Sequence, residues 1–423
     1  MTESILQTIQ EMQYTDRSAA EALLVEFISR TFPLDVDSVQ LRPSAISLNS
    51  FNGFLTLTDE TRLFFKTHTE SDNVIGEYYR ASVLADAGYP VIQPVYSSTT
   101  AGEHLLIYEV INDPSVFDVA WEIENGDTTH VEALKAAQNA ADDHLLELYT
   151  ATLPEQSATE AGEAPVHQLF HHRLTQGRLE RFYGPLPGAA PAQNNTKSVT
   201  LPDGAESLSV VRAMKWEING QVYEDSLDDI ISRAIRLLEP AQAGPSITGH
   251  GDAHNGNVFL TLSEDAPALL YFDPAFAGDH HPLLDLTKPL FHNVFAMWMY
   301  FPTEVAKRTT IALNRDGNRF IVEHSYSLPP VREMFLESKV ERVLTPILRK
   351  LRSAGQLRTD WQDYLKAALF CCPFLTMNLA DSTRFPPEVA LLGLSMAVEM
   401  GAWSAEKRSR IDRMLDAVDT QLN

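Results

Sequence analysis

The 423-residue sequence predicts an α+β chain in two lobes: a small N-terminal lobe with a five-stranded antiparallel sheet plus helix, and a larger, mainly helical C-terminal lobe with small β-hairpins. Three observations predict it. Stretches of strand-like alternation crowd into residues 36–111, helical periodicity dominates beyond them, and the length exceeds the size at which one hydrophobic core usually stops growing. The expected division is 1–111 and 112–423, the second lobe carrying an insertion at about 153–223 and a helical tail at about 331–423.

Taken in order, "SAAEALLVEFISRT" at 18–31 has apolar residues at helical spacing. "VDSVQLRPSAISL", "GFLTLT" and "RLFFKTH" read as three short strands, with Asn52-Gly53 near the first turn and Asp59-Glu60-Thr61 at the second. "NVIGEYYRASVLADAG" reads as a helix ended by Gly88, with Pro90 just beyond. "YPVIQPVYSS" and "EHLLIYEVI" supply strands four and five. In the second lobe, residues 131–151 and 225–238 are helical, and Asn219-Gly220 and Asp316-Gly317 mark two hairpins. "LPEQSATEAGEAP" and "GPLPGAAPAQNNTKS" read as mobile loops flanking a helical segment at 166–183.

Composition excludes several functions. A hydrophobic share of 44% with no apolar run long enough for a bilayer argues against a membrane protein, and the N-terminus lacks signal-peptide character, so a cytoplasmic location is expected. A net charge of −24 disfavours nucleic acid as a partner. Cys371 and Cys372, adjacent in an apolar stretch, read as core packing and not as thiol chemistry.

The chemistry concentrates in "ITGHGDAHNGNVFL". Asp252 is followed five positions later by Asn257, and a second strand, "LLYF", delivers Asp273 at its end. A hairpin between the two strands brings both carboxylates and the amide to one cleft. Phosphoryl transfer needs that set: one carboxylate orients the attacking hydroxyl and accepts its proton, while an amide oxygen and a second carboxylate hold Mg²⁺ against a triphosphate. Lys66 on strand three can reach the phosphates, and Glu77 on the following helix can pair with it. "SLNSFNGF", with Ser47, Asn49, Ser50, Asn52 and Gly53, is expected to turn between strands one and two and offer donors to phosphate oxygens.

Together "HGDAHNGN", "YFDPAFAGDHHPLLDL", Lys66 and Glu77 resemble the aminoglycoside phosphotransferase and choline kinase family, over roughly residues 35–300. The resemblance implies a bilobal protein-kinase-like fold that binds ATP and Mg²⁺ between its lobes. It makes Asp252 the catalytic base, Asn257 and Asp273 the metal ligands, and "IYEVI", with Glu109 and Ile111, the hinge that receives adenine. His254 and Asp279 become candidates for substrate contact, and Asp285 a structural residue. The loop over the nucleotide departs from protein kinases in having one glycine, and Pro274 follows the metal aspartate.

His250 is expected to brace the loop, and the pair His280-His281 to be structural, since no further ligand lies at metal spacing. The implied acceptor is a hydroxyl of a small molecule such as a sugar, amino sugar, aminoglycoside or amino alcohol; the alternative is a nucleotide-binding pseudokinase with a scaffolding role. Acidic residues in "FDVAWEIENGD" at 117–127 suit a cationic acceptor, whereas Arg173, Arg178 and Arg181 suit an anionic one if they point inward. Charge runs are usually solvated faces, so an outward orientation is expected for these arginines.

Overall fold

The computed structural model describes residues 5–13, 15–42, 50–68, 80–98, 100, 103–189, 197–262 and 266–422. The N-terminal sheet has the five strands expected: β1 (Val36–Leu41), β2 (Ser50–Leu57), β3 (Arg62–His68), β4 (Tyr96–Ser98) and β5 (Leu105–Glu109), all antiparallel in the order β1-β2-β3-β5-β4. Strand alternation sorts its side chains. Phe51, Leu55, Leu63 and Phe65 face the helices Ile5–Met12 and Arg17–Thr31 and form a core with Leu24, Phe27 and Ile107. Asn52, Phe54, Phe64 and Lys66 are left on the other face.

The turn expected over 47–54 needs correction. Residues 43–49, with Ser47 and Asn49, lie outside the described residues, but Ser50, Asn52 and Gly53 already belong to β2, where Asn52 pairs with Lys66 and Gly53 with Phe65. Gly53 is there for packing: a Cβ would stand 2.2 Å from the Gln40 carbonyl on β1 and 2.8 Å from the Phe65 ring. An Asn-Gly pair commonly marks a turn, and cross-strand crowding overrides that signal here.

Of the helix expected over 73–88, the described part is Ala81–Ala87, closed by Gly88 at φ 100°. It packs with Tyr89 and Val91 into the core of the larger lobe. Glu77 lies outside the described residues.

In the larger lobe the helix Val131–Ala151 has the bounds expected, and Leu227–Leu237 opens on a Ser226/Asp229 capping box. The first hairpin, Lys215–Ile218 with Gln221–Tyr223, turns at Asn219 and Gly220 (φ 52° and 73°), and the second, Ile311–Asp316 with Arg319–His324, turns around Gly317. The structure merges them: Arg319–His324 runs parallel to Lys215–Ile218, and Ser404–Ala405 completes a second five-stranded sheet. The stretch read as a mobile loop at 153–165 is built instead. Glu155–Gln156 pairs with Gly244–Pro245, and the helix Ala158–Gly162 starts on a Ser157/Glu160 capping box.

The chain ends in the helices Pro330–Lys339, Thr345–Ser353, Trp361–Leu375, Pro387–Gly401 and Arg410–Leu422. Cys371 and Cys372 are buried in the third of these and donate to the Ala367 and Ala368 carbonyls; burial pushes the Cys372 thiol up to about 11, the packing role expected. Among the described residues no helix is long and apolar enough to cross a membrane.

Candidate functional site

The segment 247–280 assembles the site. Ile247–Gly249 pairs with Gly278–His280, and Val258–Leu262 forms a hairpin with Pro267–Tyr271, so the loop 250–257 and residues 272–277 are presented side by side. Asp285 anchors them. Its carboxylate accepts from the Gly251 backbone N–H at 2.5 Å, from His280 Nε2 at 3.0 Å and from the Tyr149 hydroxyl. Burial pushes its pKa up, but these bonds outweigh burial and hold it at about 2. Close approach also explains two glycines: a Cβ on Gly249 would lie 2.6 Å from Asp285 Oδ1, and one on Gly251, at φ 77°, 2.6 Å from the Phe276 carbonyl. His250 braces the loop as expected, donating from Nε2 to the Phe272 carbonyl at 3.0 Å while Nδ1 faces the Asp252 N–H at 3.4 Å.

Asp252, Asn257, Asp273 and Lys66 meet at the resulting cleft. Asn257 donates from Nδ2 to the Asp252 carbonyl at 3.0 Å, which leaves its Oδ1 available as a ligand. Asp273 has a left-handed backbone (φ 55°), a strained state for a non-glycine residue that tends to occur at functional positions. Lys66 Nζ lies 2.9 Å from Asp273 Oδ1, across 207 residues of sequence. Asp252 Oδ1 is buried and has no hydrogen-bond partner among the described residues, although Lys288 Nζ stands 3.6 Å away. Burial pushes the Asp252 carboxyl up, and Lys288, His254, Arg173 and His250 together pull it further down, so it stays ionised below the usual carboxylate range.

Beside this group lies a cavity of about 430 Å³, lined by Arg42, by Asn52, Phe54, Phe64, Lys66, Tyr108 and Glu109 of the sheet, by Val110 and Ile111 just beyond it, and by Phe259, Phe272 and Asp273 of the larger lobe. Glu109 and Ile111 are therefore at the slot, as expected, and so is Asn52. Largely apolar walls, with Arg42 in the lining and Lys66 paired with Asp273, suit a flat aromatic ring carrying an anionic tail.

The substrate candidates fare differently. His254 lies beside Asp252, but Nδ1 accepts from the Gly256 N–H at 3.0 Å and its ring packs on His292 at 5.6 Å. Asp279 is not brought to the cluster: strand alternation buries Gly278 and His280 and leaves Asp279 exposed, accepting from Thr248 Oγ1 at 2.7 Å. Most of the acidic lining expected from 117–127 is engaged elsewhere. Asp118 bonds Ser115, Asp127 accepts from the Thr129 N–H, Glu124 pairs with Arg332 at 2.9 Å, and the half-buried Phe117 and Trp121 of that helix stack on Phe301.

The outward orientation expected of all three arginines holds only in part. Arg181 is exposed and lies over Phe182, and Arg178 donates to the Leu375 carbonyl at 3.3 Å. Arg173 turns in, with Nη1 3.4 Å from Thr376 Oγ1 and its charge felt at Asp252. Lys288 escaped the sequence reading altogether. Its signal was present, since Asp285, Lys288 and His292 recur at helical spacing in an apolar helix, Pro282–His292.

His281 accepts from the Leu283 N–H to cap that helix, His280 is tied to Asp285, and among the described residues no cluster of acids, histidines or cysteines forms a metal site.

No protein-family model and no curated protein matches the chain. Solved structures do. An aminoglycoside phosphotransferase, APH(4)-Ia, is similar at 9% identity and TM-score 0.44 over 89% of this chain and 97% of that one. A Plasmodium vivax ethanolamine kinase is similar at 10% identity and TM-score 0.41, over 95% and 85%. A microcompartment-associated aminopropanol kinase follows at 13% and 0.39, over 95% and 100%.

Proposed function

We propose that the protein transfers the γ-phosphoryl group of ATP to a hydroxyl of a small molecule. The observation that supports this best is the meeting of Asp252, Asn257, Asp273 and Lys66 beside one apolar slot between the lobes. In the proposed reaction the acceptor O–H gives its proton to Asp252, a new O–P bond forms, and the bond from the γ-phosphorus to the bridging oxygen breaks, so that ADP leaves with the electron pair. The depressed pKa of Asp252 suits a group that orients the hydroxyl and takes its proton late, as a loose transition state requires. Lys66 would hold the phosphates, and Phe54, Phe64, Phe259 and Phe272 the base. Asn257 Oδ1 and the Asp273 carboxylate fit Mg²⁺, an oxygen-seeking ion that needs few protein ligands. When bound, the ion would neutralise charge on the triphosphate.

The test is Asp252→Asn. Phosphoryl transfer should fall by about 10²–10⁴-fold, the range for loss of a positioned proton acceptor, with nucleotide affinity within a few-fold of wild type. Substantial turnover by the variant would remove Asp252 from this role. A wild-type protein that binds ATP but phosphorylates no alcohol would instead be a nucleotide-binding scaffold.

A further inference from the structure

We infer that the acceptor carries an anionic group, a carboxylate or a phosphate, which Lys288 and Arg173 hold beside Asp252. The inference rests on the phosphotransferase reading and names the substrate class of that same site.

Two cations converge on one carboxylate there. Lys288, 3% exposed, points Nζ at Asp252 Oδ1 (3.6 Å) and at His292 Nε2 (3.4 Å). Arg173 comes from the short helix His171–Thr175 and acts on Asp252, Lys288 and both cysteine thiols. Among the described residues its Nε is buried without a hydrogen-bond partner, and its bond to Thr376 Oγ1 is long at 3.4 Å. The surrounding groups do not balance this charge. Burial holds His254 and His292 below the ordinary imidazole value, with Lys288 adding to the effect. Asp273 is engaged by Lys66. Burial lowers Lys288 and Arg173 as well, and Asp252 opposes it in both, so among the described residues two basic side chains face the single carboxylate of Asp252.

A buried cation without a counter-ion is strongly disfavoured, and an arriving anion relieves it. The guanidinium group, with a free Nε–H, offers carboxylate and phosphate oxygens a planar pair of donors. An ammonium acceptor would be a third cation at the cluster, and Asp118 and Glu124 of the acidic stretch 117–127 are bonded elsewhere. The anion would also position the acceptor hydroxyl, since the same Lys288 that binds it touches the carboxylate that takes the proton.

The experiment has two arms. In the first, calorimetry measures inorganic phosphate and glycolate binding to the full-length protein, with the nucleotide slot empty or filled by MgAMP-PNP, for wild type, Arg173→Gln and Arg173→Lys. The expected result is binding of at least one anion to wild type in both states, weakened at least tenfold in Arg173→Gln and partly restored in Arg173→Lys. Phosphate alone or glycolate alone identifies which anion the site takes. No anion binding to wild type, or equal binding in Arg173→Gln, overturns the inference. In the second arm, ADP release with MgATP compares glucose, glucosamine, glucuronate and glucose 6-phosphate as matched probes, followed by polyols, amino alcohols and hydroxy acids. The best acceptor should be anionic, with its KM raised at least tenfold by Arg173→Gln and the ATP KM unchanged within twofold. A best acceptor that is neutral or cationic overturns the inference while leaving the phosphotransferase reading intact. Anion binding at the Arg173 site without turnover on any alcohol has the converse meaning: the anion site stands and the phosphotransferase reading fails.

Discussion

Asp273 combines strain with charge. It keeps a left-handed backbone and pairs with Lys66, so its carboxylate is placed by the hairpin before it and neutralised by the opposite lobe. Asp273→Ala should reduce ATP affinity in the presence of Mg²⁺ to about the level seen without it, because the proposed ion site would lose its carboxylate. Calorimetry with and without Mg²⁺ decides the point, and an undiminished metal effect in the variant would exclude the ligand role. At this scale Asp252, Asn257, Asp273 and Lys66 were legible in the sequence because the chemistry demands those residue types in that order. Lys288 and Arg173 were not, since a lysine in an apolar helix or an arginine in a basic stretch has no local mark of burial.

Elements explain why the slot proposed for the nucleotide has its shape. Period-2 alternation in β2 and β3 sends Asn52, Phe54, Phe64 and Lys66 to the slot and their neighbours to the helical side. Gly53 lets β1 and β2 approach, and nothing larger fits against the Gln40 carbonyl. Gly53→Ala should therefore destabilise the protein by about 1–3 kcal/mol, the usual range for overpacking, and weaken ATP binding through the displaced Asn52 and Lys66. Urea denaturation checks the first effect, and an unchanged midpoint would mean that the two strands separate at little cost. The Asn52-Gly53 pair shows the limit of reading locally: its turn propensity is real, but the strand opposite determines its role.

At the scale of the whole molecule, the C-terminal helices are stitched together by a buried polar network. Lys366 pairs with Asp412 and donates to the Glu399 carbonyl at 3.0 Å, and Asp412 also accepts from the Ser404 N–H at 2.9 Å. Burial pushes the Glu399 carboxyl up to about 7, against the pull of Lys366. A raised folded-state pKa means that the protonated form belongs to the folded protein, so this contribution is fully present below the ordinary glutamate value and lost as pH rises through 7. Wild type should lose on the order of 2 kcal/mol between about pH 5 and pH 8 relative to Glu399→Gln, which keeps the neutral form at every pH. Paired urea titrations across that interval measure the difference, and parallel curves would show that Glu399 does not titrate there.

The sequence by itself determined the five N-terminal strands, the long helix at 131–151, the turns at Asn219-Gly220 and Gly317, and the order of the residues proposed for phosphoryl transfer. Each is fixed by interactions short along the chain: alternation, capping, a glycine at positive φ, or a loop that carries a carboxylate and an amide five residues apart. Tertiary structure decided the rest. Parallel pairing of Arg319–His324 with Lys215–Ile218 joins segments about a hundred residues apart and leaves no periodic trace in either. The inward turn of Arg173 depends on the helix Trp361–Leu375 behind it, and the position of Lys288 on Asp252 depends on a helix held by the bonds of Asp285. Charge at the site is a sum over walls that meet only in the folded chain, which is why an acidic sequence can bring Lys288 and Arg173 to one carboxylate.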